Sequence, residues 1–260
     1  MVESEYLKSL RIKLKLGGVL NIIIYYLKYA IFFCFVNLSL WIIIATAIIT
    51  RRFRNSRNAL FCGMMMQKVG RLLGVNIISK ISDEININES YLFIINHQSY
   101  LDAIIMSHIL TIFGNAAPVS KKFSPFLLHV WAAAYFCDGI ILDEKDKTVA
   151  KNAMNEKIIS LKTEKRNFIL FPEGSRNDST ELLPFKKGAF KISEKTHMKI
   201  IPVVVQKFPF LDHRKKVFGK GIVHVEFLSP MLKSENESID EFTQRAYEIM
   251  NSKYHSMNPQ

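Results

Sequence analysis

Two stretches of the chain place reactive residue types at spacings that could do chemistry. In Ile94-Ile95-Asn96-His97-Gln98-Ser99-Tyr100-Leu101-Asp102 an apolar run delivers a histidine and, five positions on, an aspartate. Across a strand-to-helix turn, that spacing can bring the carboxylate to one imidazole nitrogen and leave the other free. A histidine so held has the tautomer and basicity that a general base for a hydroxyl needs. The plainer alternative is an aspartate that caps a helix beside an unrelated histidine. In Phe171-Pro172-Glu173-Gly174-Ser175-Arg176, an apolar strand runs into a loop. Pro172 ends the strand, Gly174 permits close backbone approach, and Arg176 offers a bidentate fork for phosphate. Pro184-Phe185-Lys186-Lys187-Gly188-Ala189-Phe190 then re-enters a helix with two more cations. The plainer alternative there is a solvated surface loop. A third stretch, 199–205, reads as a strand whose Pro202 suits an edge or a starting position better than a central one.

These residues need elements to position them. The pattern predicts strands at 75–78, 91–95, 117–120, 139–142, 167–171, 200–205 and 221–227. Helical spacing falls between them at 100–110, 125–136, 148–163 and 187–196, with a last helix at 240–253. A further helix follows Asn58, with Leu60, Met64, Val69 and Leu72 on its apolar face; packing on the domain is its commoner fate, and lying in a membrane interface is the other. Strands alternating with helices argue for an α/β fold, a sheet with helices on its faces. No internal repeat or linker divides it. Chemistry in such a fold belongs at the strand ends.

The 260 residues are 49% apolar and 22% charged, which supplies a sizeable core and excludes disorder for most of the length. The net charge of +12 suggests nucleic acid until its distribution is read. Between Glu5 and Asp83 there is no acidic residue but twelve Lys and Arg; the remaining 23 basic residues balance 23 acidic ones. That excess surrounds residues 29–50, which are free of formal charge. A helix of this size covers roughly 33 Å, about the hydrocarbon thickness of a bilayer. A second apolar run, 16–27, is separated from it only by Lys28. The two form one long tilted helix with Lys28 near an interface, or two helices in a shallow hairpin. A cleaved signal peptide fits less well, because the run is too long and Thr50-Arg51-Arg52 is no cleavage site. The expected organisation is a membrane anchor at 1–57, its basic flanks touching anionic headgroups of a lipid bilayer, and an α/β domain at 58–260. Cations that flank an apolar segment beside a neutral domain argue against nucleic acid as a partner.

The ordered stretches closely resemble the glycerolipid acyltransferase family, in particular its 1-acyl-glycerol-3-phosphate acyltransferases. Asn96-His97 through Asp102 matches the family's NHxxxxD block. Phe171 through Arg176 matches FPEG[ST]R in full, 182–190 continues in the same way, and Ile201-Pro202 matches the fourth block. The second block departs. The family's Gly-x-Ile-Phe-Ile-Asp-Arg stands against Gly139-Ile140-Ile141-Leu142-Asp143-Glu144-Lys145, and the arginine is replaced by Lys145 or Glu144 according to register. Lysine keeps the charge but loses the fork; glutamate reverses it.

The resemblance implies a central, mostly parallel sheet flanked by helices behind an N-terminal transmembrane or membrane-embedded segment. It implies acyl transfer from acyl-CoA to the sn-2 hydroxyl of lysophosphatidic acid, giving phosphatidic acid. His97 would be the base and Asp102 its orienting partner. Arg176 with Lys145 would hold the glycerol phosphate, and Glu173, Gly174, Ser175 and Pro202 would complete the substrate site. Other lysophospholipids or glycerol-3-phosphate are alternative acceptors, and a catalytically inactive membrane scaffold is the alternative of another class. Acyl-enzyme chemistry through Ser99 or Ser175 is disfavoured without a GxSxG elbow. No metal and no cofactor is implied, since acyl-CoA is a substrate. Cys34, Cys62 and Cys137 read as small hydrophobes. Phosphatidic acid synthesis suits an endoplasmic reticulum membrane, although a bacterial inner membrane would suit the same text.

Overall fold

A computed structural model of the chain describes residues 5–53, 55, 57–114, 116–121, 132, 135–137, 140–142 and 166–259. Two helices come first, α1 (Glu5–Ile49) and α2 (Arg57–Leu73). The α/β part follows as β1 (Val75–Ile81), β2 (Leu92–Ile95), α3 (Asp102–Phe113), β3 (Ala116–Lys121), β4 (Ile140–Leu142) and β5 (Asn167–Leu170). It closes with α4 (Gly188–Thr196), β6 (Ile200–Val205), β7 (Leu211–Asp212), β8 (Val217–Phe218), β9 (Gly221–Phe227) and α5 (Ile239–Met257). Seven strands form one sheet in the order β1-β9-β6-β2-β5-β3-β4. All pairings are parallel except β6 with β9. The mostly parallel sheet expected from the sequence is therefore present. Expected helices at 125–136 and 148–163 fall on stretches that lie largely outside the described residues.

The alternation of side chains along the central strands divides the core in two. On β2, Phe93 and Ile95 join Ile201, Val203 and Val205 of β6 beneath α1, α2 and α3. Leu92 and Ile94 join Ile200 and Val204 on the opposite face, against α4 and α5. A strand buried on both faces needs apolar residues at every position, which is why 92–95 shows no polar alternation.

Pro202 corrects one expectation. Its strand, β6, is neither an edge nor barely begun: β2 flanks it on one side and β9 on the other, with Pro202 in register with Ile94. On the β9 side the Pro202 carbonyl accepts Leu228 N–H at 2.9 Å, and Ile200 pairs with Met231 beyond it. Antiparallel pairing with β9 starts only at Val203. One extra residue lies between Leu228 and Met231 against Ile200 and Pro202, so the N–H that proline lacks falls at a bulge, where proline is tolerated.

α1 is one continuous helix, so the hairpin alternative does not apply. Gly17–Ile49 is long and apolar enough to cross a membrane. One face, carrying Tyr25, Tyr29, Phe32, Ile43 and Ala47, is buried against the rest of the protein. The other exposes Ile22, Ile23, Leu27, Trp41, Ile48 and Ile49, an apolar surface of the kind that marks a membrane or partner contact. Lys28, between the two apolar runs, turns inward. Its Nζ donates to the Leu73 carbonyl at 2.7 Å and the Gly219 carbonyl at 2.6 Å. Leu73 ends α2, so the cation sits at the negative end of that helix. Gly74, at φ 85°, makes the turn that follows.

This docking yields a prediction. Lys28→Met should leave both carbonyls without a donor and weaken the seat of α1 on the domain by roughly 1–3 kcal/mol. Thermal unfolding in detergent should show the lowered Tm, and limited proteolysis should cut faster between β7 and β9.

Candidate active site

The C-terminal ends of β2 and β5 are neighbours in the sheet, and the two chemical stretches meet there. His97 leaves β2 and turns back so that its Nδ1 lies 2.7 Å from Asp102 Oδ2. The same oxygen accepts the N–H groups of Gln98 at 2.8 Å and Ser99 at 3.0 Å. Asp102 is the first residue of α3, yet its carboxylate reaches back to hold the turn that carries His97. The capping alternative is thus replaced by a direct His–Asp pair. Its other oxygen, Oδ1, is buried without a hydrogen-bond partner. Burial pushes the Asp102 carboxyl up from its ordinary range, opposed by the bonds from His97, Ser99 and Gln98. The His97 side chain keeps 23% of its surface exposed while that of Asp102 keeps 4%. The imidazole is therefore open to a reactant on one side and held on the other. With Nδ1 facing the carboxylate, Nε2 is the atom left to accept a proton.

The second stretch fixes the backbone of the first. Glu173 Oε1 accepts His97 N–H at 2.7 Å, and Oε2 accepts Leu183 N–H at 2.9 Å. Asn177 N–H donates to the His97 carbonyl at 2.8 Å. One loop therefore grips both peptide groups of His97, and Phe171 stacks on its ring at 4.0 Å between centroids. Glu173 is buried, and burial raises its carboxyl while the N–H groups of His97 and Leu183 oppose the rise. Both of its oxygens are spent on backbone, which makes it a brace for the loop. Gly174 adopts φ 71°, and a Cβ there would come within 2.5 Å of Lys186 Nζ. Ser175 and Arg176 are exposed. Arg176 lays its guanidinium over the Tyr100 ring at 3.7 Å and makes no ion pair among the described residues. Tyr100 meets Phe33 of α1 edge-on at 5.2 Å, so the arginine sits on the side of the rim nearest the apolar helix.

Pro202 is buried in the sheet, level with Ile94, and so lies behind the rim rather than on it. Lys145, together with Gly139, Asp143 and Glu144, lies outside the described residues. Ser99 is buried with its hydroxyl accepting Leu101 N–H at 3.3 Å, and no described hydrogen bond joins it or Ser175 to His97. Among the described residues no three His, Cys, Asp or Glu side chains come together as metal ligands would. Sequence reasoning gave no role to three residues that the fold places here. Asn96 accepts Val205 N–H at 2.7 Å and donates to the Val205 carbonyl at 3.0 Å, tying the end of β2 to that of β6. Phe171 and Tyr100 supply the rings under His97 and Arg176. All three sit inside or beside the motifs, but their partners come from elsewhere in the chain.

The rim of this α/β sheet holds a partly exposed, carboxylate-bound histidine near an arginine without an ion pair among the described residues, an arrangement suited to a general base that works on a hydroxyl. The family is settled by comparison: residues 76–206 match the model of the acyltransferase family, and this chain belongs to it. The chain is 33% identical over 192 residues to a 1-acyl-sn-glycerol-3-phosphate acyltransferase of Saccharomyces cerevisiae, covering 69% of this chain and 60% of that one. It is 27% identical over 190 residues to the human 1-acyl-sn-glycerol-3-phosphate acyltransferase alpha, covering 73% and 66%. The chain thus spans about two thirds or less of these relatives. The fold is similar to the crystal structure of the Thermotoga maritima acyltransferase PlsC, with a TM-score of 0.64 at 17% identity, covering 95% of this chain and 99% of that one.

The loop's grip on His97 can be tested apart from chemistry. Glu173→Ala leaves two buried N–H groups without an acceptor, a cost of roughly 2–4 kcal/mol. Calorimetry should register it as a drop in Tm of about 5–15 °C. Ser175→Ala, at an exposed position, should unfold like the unchanged protein.

Proposed function

We propose that this chain transfers an acyl group from acyl-CoA to the sn-2 hydroxyl of 1-acyl-glycerol-3-phosphate, giving phosphatidic acid and free CoA. The observation that carries the reading is the 2.7 Å contact between His97 Nδ1 and Asp102 Oδ2 with Nε2 left open. Nε2 takes the proton from the hydroxyl as its oxygen attacks the thioester carbonyl. The C–S bond then breaks, and the proton passes to the departing thiolate. Asp102 holds the ring and stabilises the imidazolium that forms in between. An acceptor with one acyl chain and one phosphate matches the arrangement of the rim, with Arg176 for the phosphate and the apolar face of α1 nearby. The relatives named for this reaction support the same acceptor. A place in the endoplasmic reticulum membrane goes with this reading, and fractionation would check it.

His97→Ala should abolish nearly all transfer without releasing the protein from membranes, since general-base assistance is worth ~10²–10⁴-fold. Asp102→Asn should cut the rate heavily too, because the pair acts as a unit. Membranes assayed with labelled acyl-CoA against a panel of lysolipids would test this directly. A loss under about tenfold for His97→Ala removes the assignment, transfer to a different lysolipid changes the acceptor, and no transfer at all leaves only a scaffold.

The acceptor's phosphate is assigned to Arg176 together with Lys145. β4 ends at Leu142 on the same rim as β5 and two strands away, roughly 10 Å, which a lysine three residues later could bridge. Lys145→Ala should raise the KM for lysophosphatidic acid with little change for acyl-CoA. Lys145→Arg should be tolerated, whereas Arg176→Lys should be damaging because the fork is lost although the charge is kept. An unchanged acceptor KM in Lys145→Ala would mean a phosphate site built without it.

A further inference from the structure

A second opening reaches the turn that carries His97, between the stretch after β6 and the end of α5. A cleft of about 880 Å³ has Gln98 and Ser99 in its wall, the two residues that follow His97. Its other walls are the loop 178–180, the stretch 206–214 after β6, and the end of α5 at 257–259. That volume is of the size that holds a nucleotide-sized ligand.

Several polar groups of the walls are bonded to one another. Gln98 Nε2 donates to the Gln206 carbonyl at 2.9 Å, Lys207 N–H to Asn258 Oδ1 at 2.8 Å, and Tyr254 OH to the Ser179 carbonyl at 3.3 Å. These bonds make a rigid wall. The cations Lys207 and Arg214 are what remains to recognise a ligand. Neither has a carboxylate within 4 Å among the described residues. The stretch 207–220 carries five cations, Lys207, Arg214, Lys215, Lys216 and Lys220, against the single acid Asp212. Asp212 is itself committed, accepting the N–H groups of Arg214 and Lys215 at 2.9 Å each and lying 3.8 Å from Lys215 Nζ. Asp178, the other acid in the wall, faces His213. His213 marks the border with the membrane side, because its Nδ1 meets Tyr25 OH of α1 at 2.8 Å.

Resting on the reaction proposed above, we infer that this cleft binds the phosphorylated nucleotide end of the acyl-CoA donor, with Lys207 and Arg214 as phosphate ligands. A donor with a large, highly charged, water-soluble head and an acceptor that lives in a bilayer cannot approach one histidine by one path. The rim offers two paths. Arg176 lies over Tyr100, which meets Phe33 of α1, while Lys207 is tied by its N–H to Asn258 just after α5 and shares a cleft wall with Arg214. Donor and acceptor phosphates are thereby given separate cations.

The test compares full-length wild type with Lys207→Ala, Arg214→Ala and the double variant K207E/R214E in detergent and in vesicles. The alanine variants should each raise the KM for acyl-CoA by about 5–20-fold and the double variant by more, with the KM for lysophosphatidic acid unmoved. The loss should be confined to the donor that carries phosphates, so that the acyl-pantetheine thioester, which lacks the nucleotide, reacts alike in wild type and variants. Free CoA titrated calorimetrically gives a readout independent of turnover, and its Kd should rise in parallel. Wild type that binds CoA but transfers no acyl group would overturn the proposed reaction and leave the cleft assignment standing. The cleft assignment itself is overturned by an unchanged Kd and KM in the double variant, or by equal losses with acyl-CoA and acyl-pantetheine. It is equally overturned if the double variant loses only its association with anionic vesicles, because the cations would then serve a lipid surface.

Discussion

Everything at the rim depends on the way one loop holds the two peptide groups of a single histidine. Glu173 accepts the N–H of His97, and Asn177 donates to its carbonyl. The side chain is then turned by Asp102 and flattened against Phe171. A general base works only within a few tenths of an ångström of its proton, so backbone and ring must both be fixed. Placing that burden on the loop after β5 requires β5 beside β2, and parallel pairing of those strands supplies it. The buried carboxylates of Asp102 and Glu173 carry a desolvation cost, which N–H donors partly offset.

The long apolar helix is part of this arrangement as well as a candidate span. Its buried face reaches the catalytic side of the sheet through Tyr25, Tyr29 and Phe32, and Lys28 anchors it to two backbone carbonyls. Phe33 then touches Tyr100, which supports Arg176. An aromatic chain therefore links the apolar segment to Arg176. A lysine in the middle of an otherwise uncharged stretch is costly in lipid unless its charge is satisfied. Here the end of α2 satisfies it.

Much of the site was legible because its signals are local. His97 and Asp102 are five positions apart, and Phe171 through Arg176 are contiguous, so spacing and residue type were enough to single them out. The strand positions were legible for the same reason, since a run such as Leu92–Ile95 suits a strand buried on both faces. Pro202 misled because local chemistry speaks only of a missing N–H. Where that N–H would have pointed depends on β9, which arrives more than twenty residues later.

The sequence by itself determined the apolar segment, the alternation of strands and helices, the reactive residue types and the family to which the chain belongs. The first three follow from periodicity, composition and short-range spacing, which need no knowledge of distant partners, and the family from the resemblance of its motifs, confirmed by comparison. Tertiary structure alone decided that Glu173 braces the backbone of His97, that Lys28 turns inward, and that Tyr100 carries Arg176. It also decided that Asn96 closes the gap to Val205 and that 206–214 shares a cleft with Gln98 and Ser99, next to His97. Each of these is a contact across a stretch of chain whose ends meet only when the sheet is assembled. Strand order is set by the summed burial of two cores and by no single local signal.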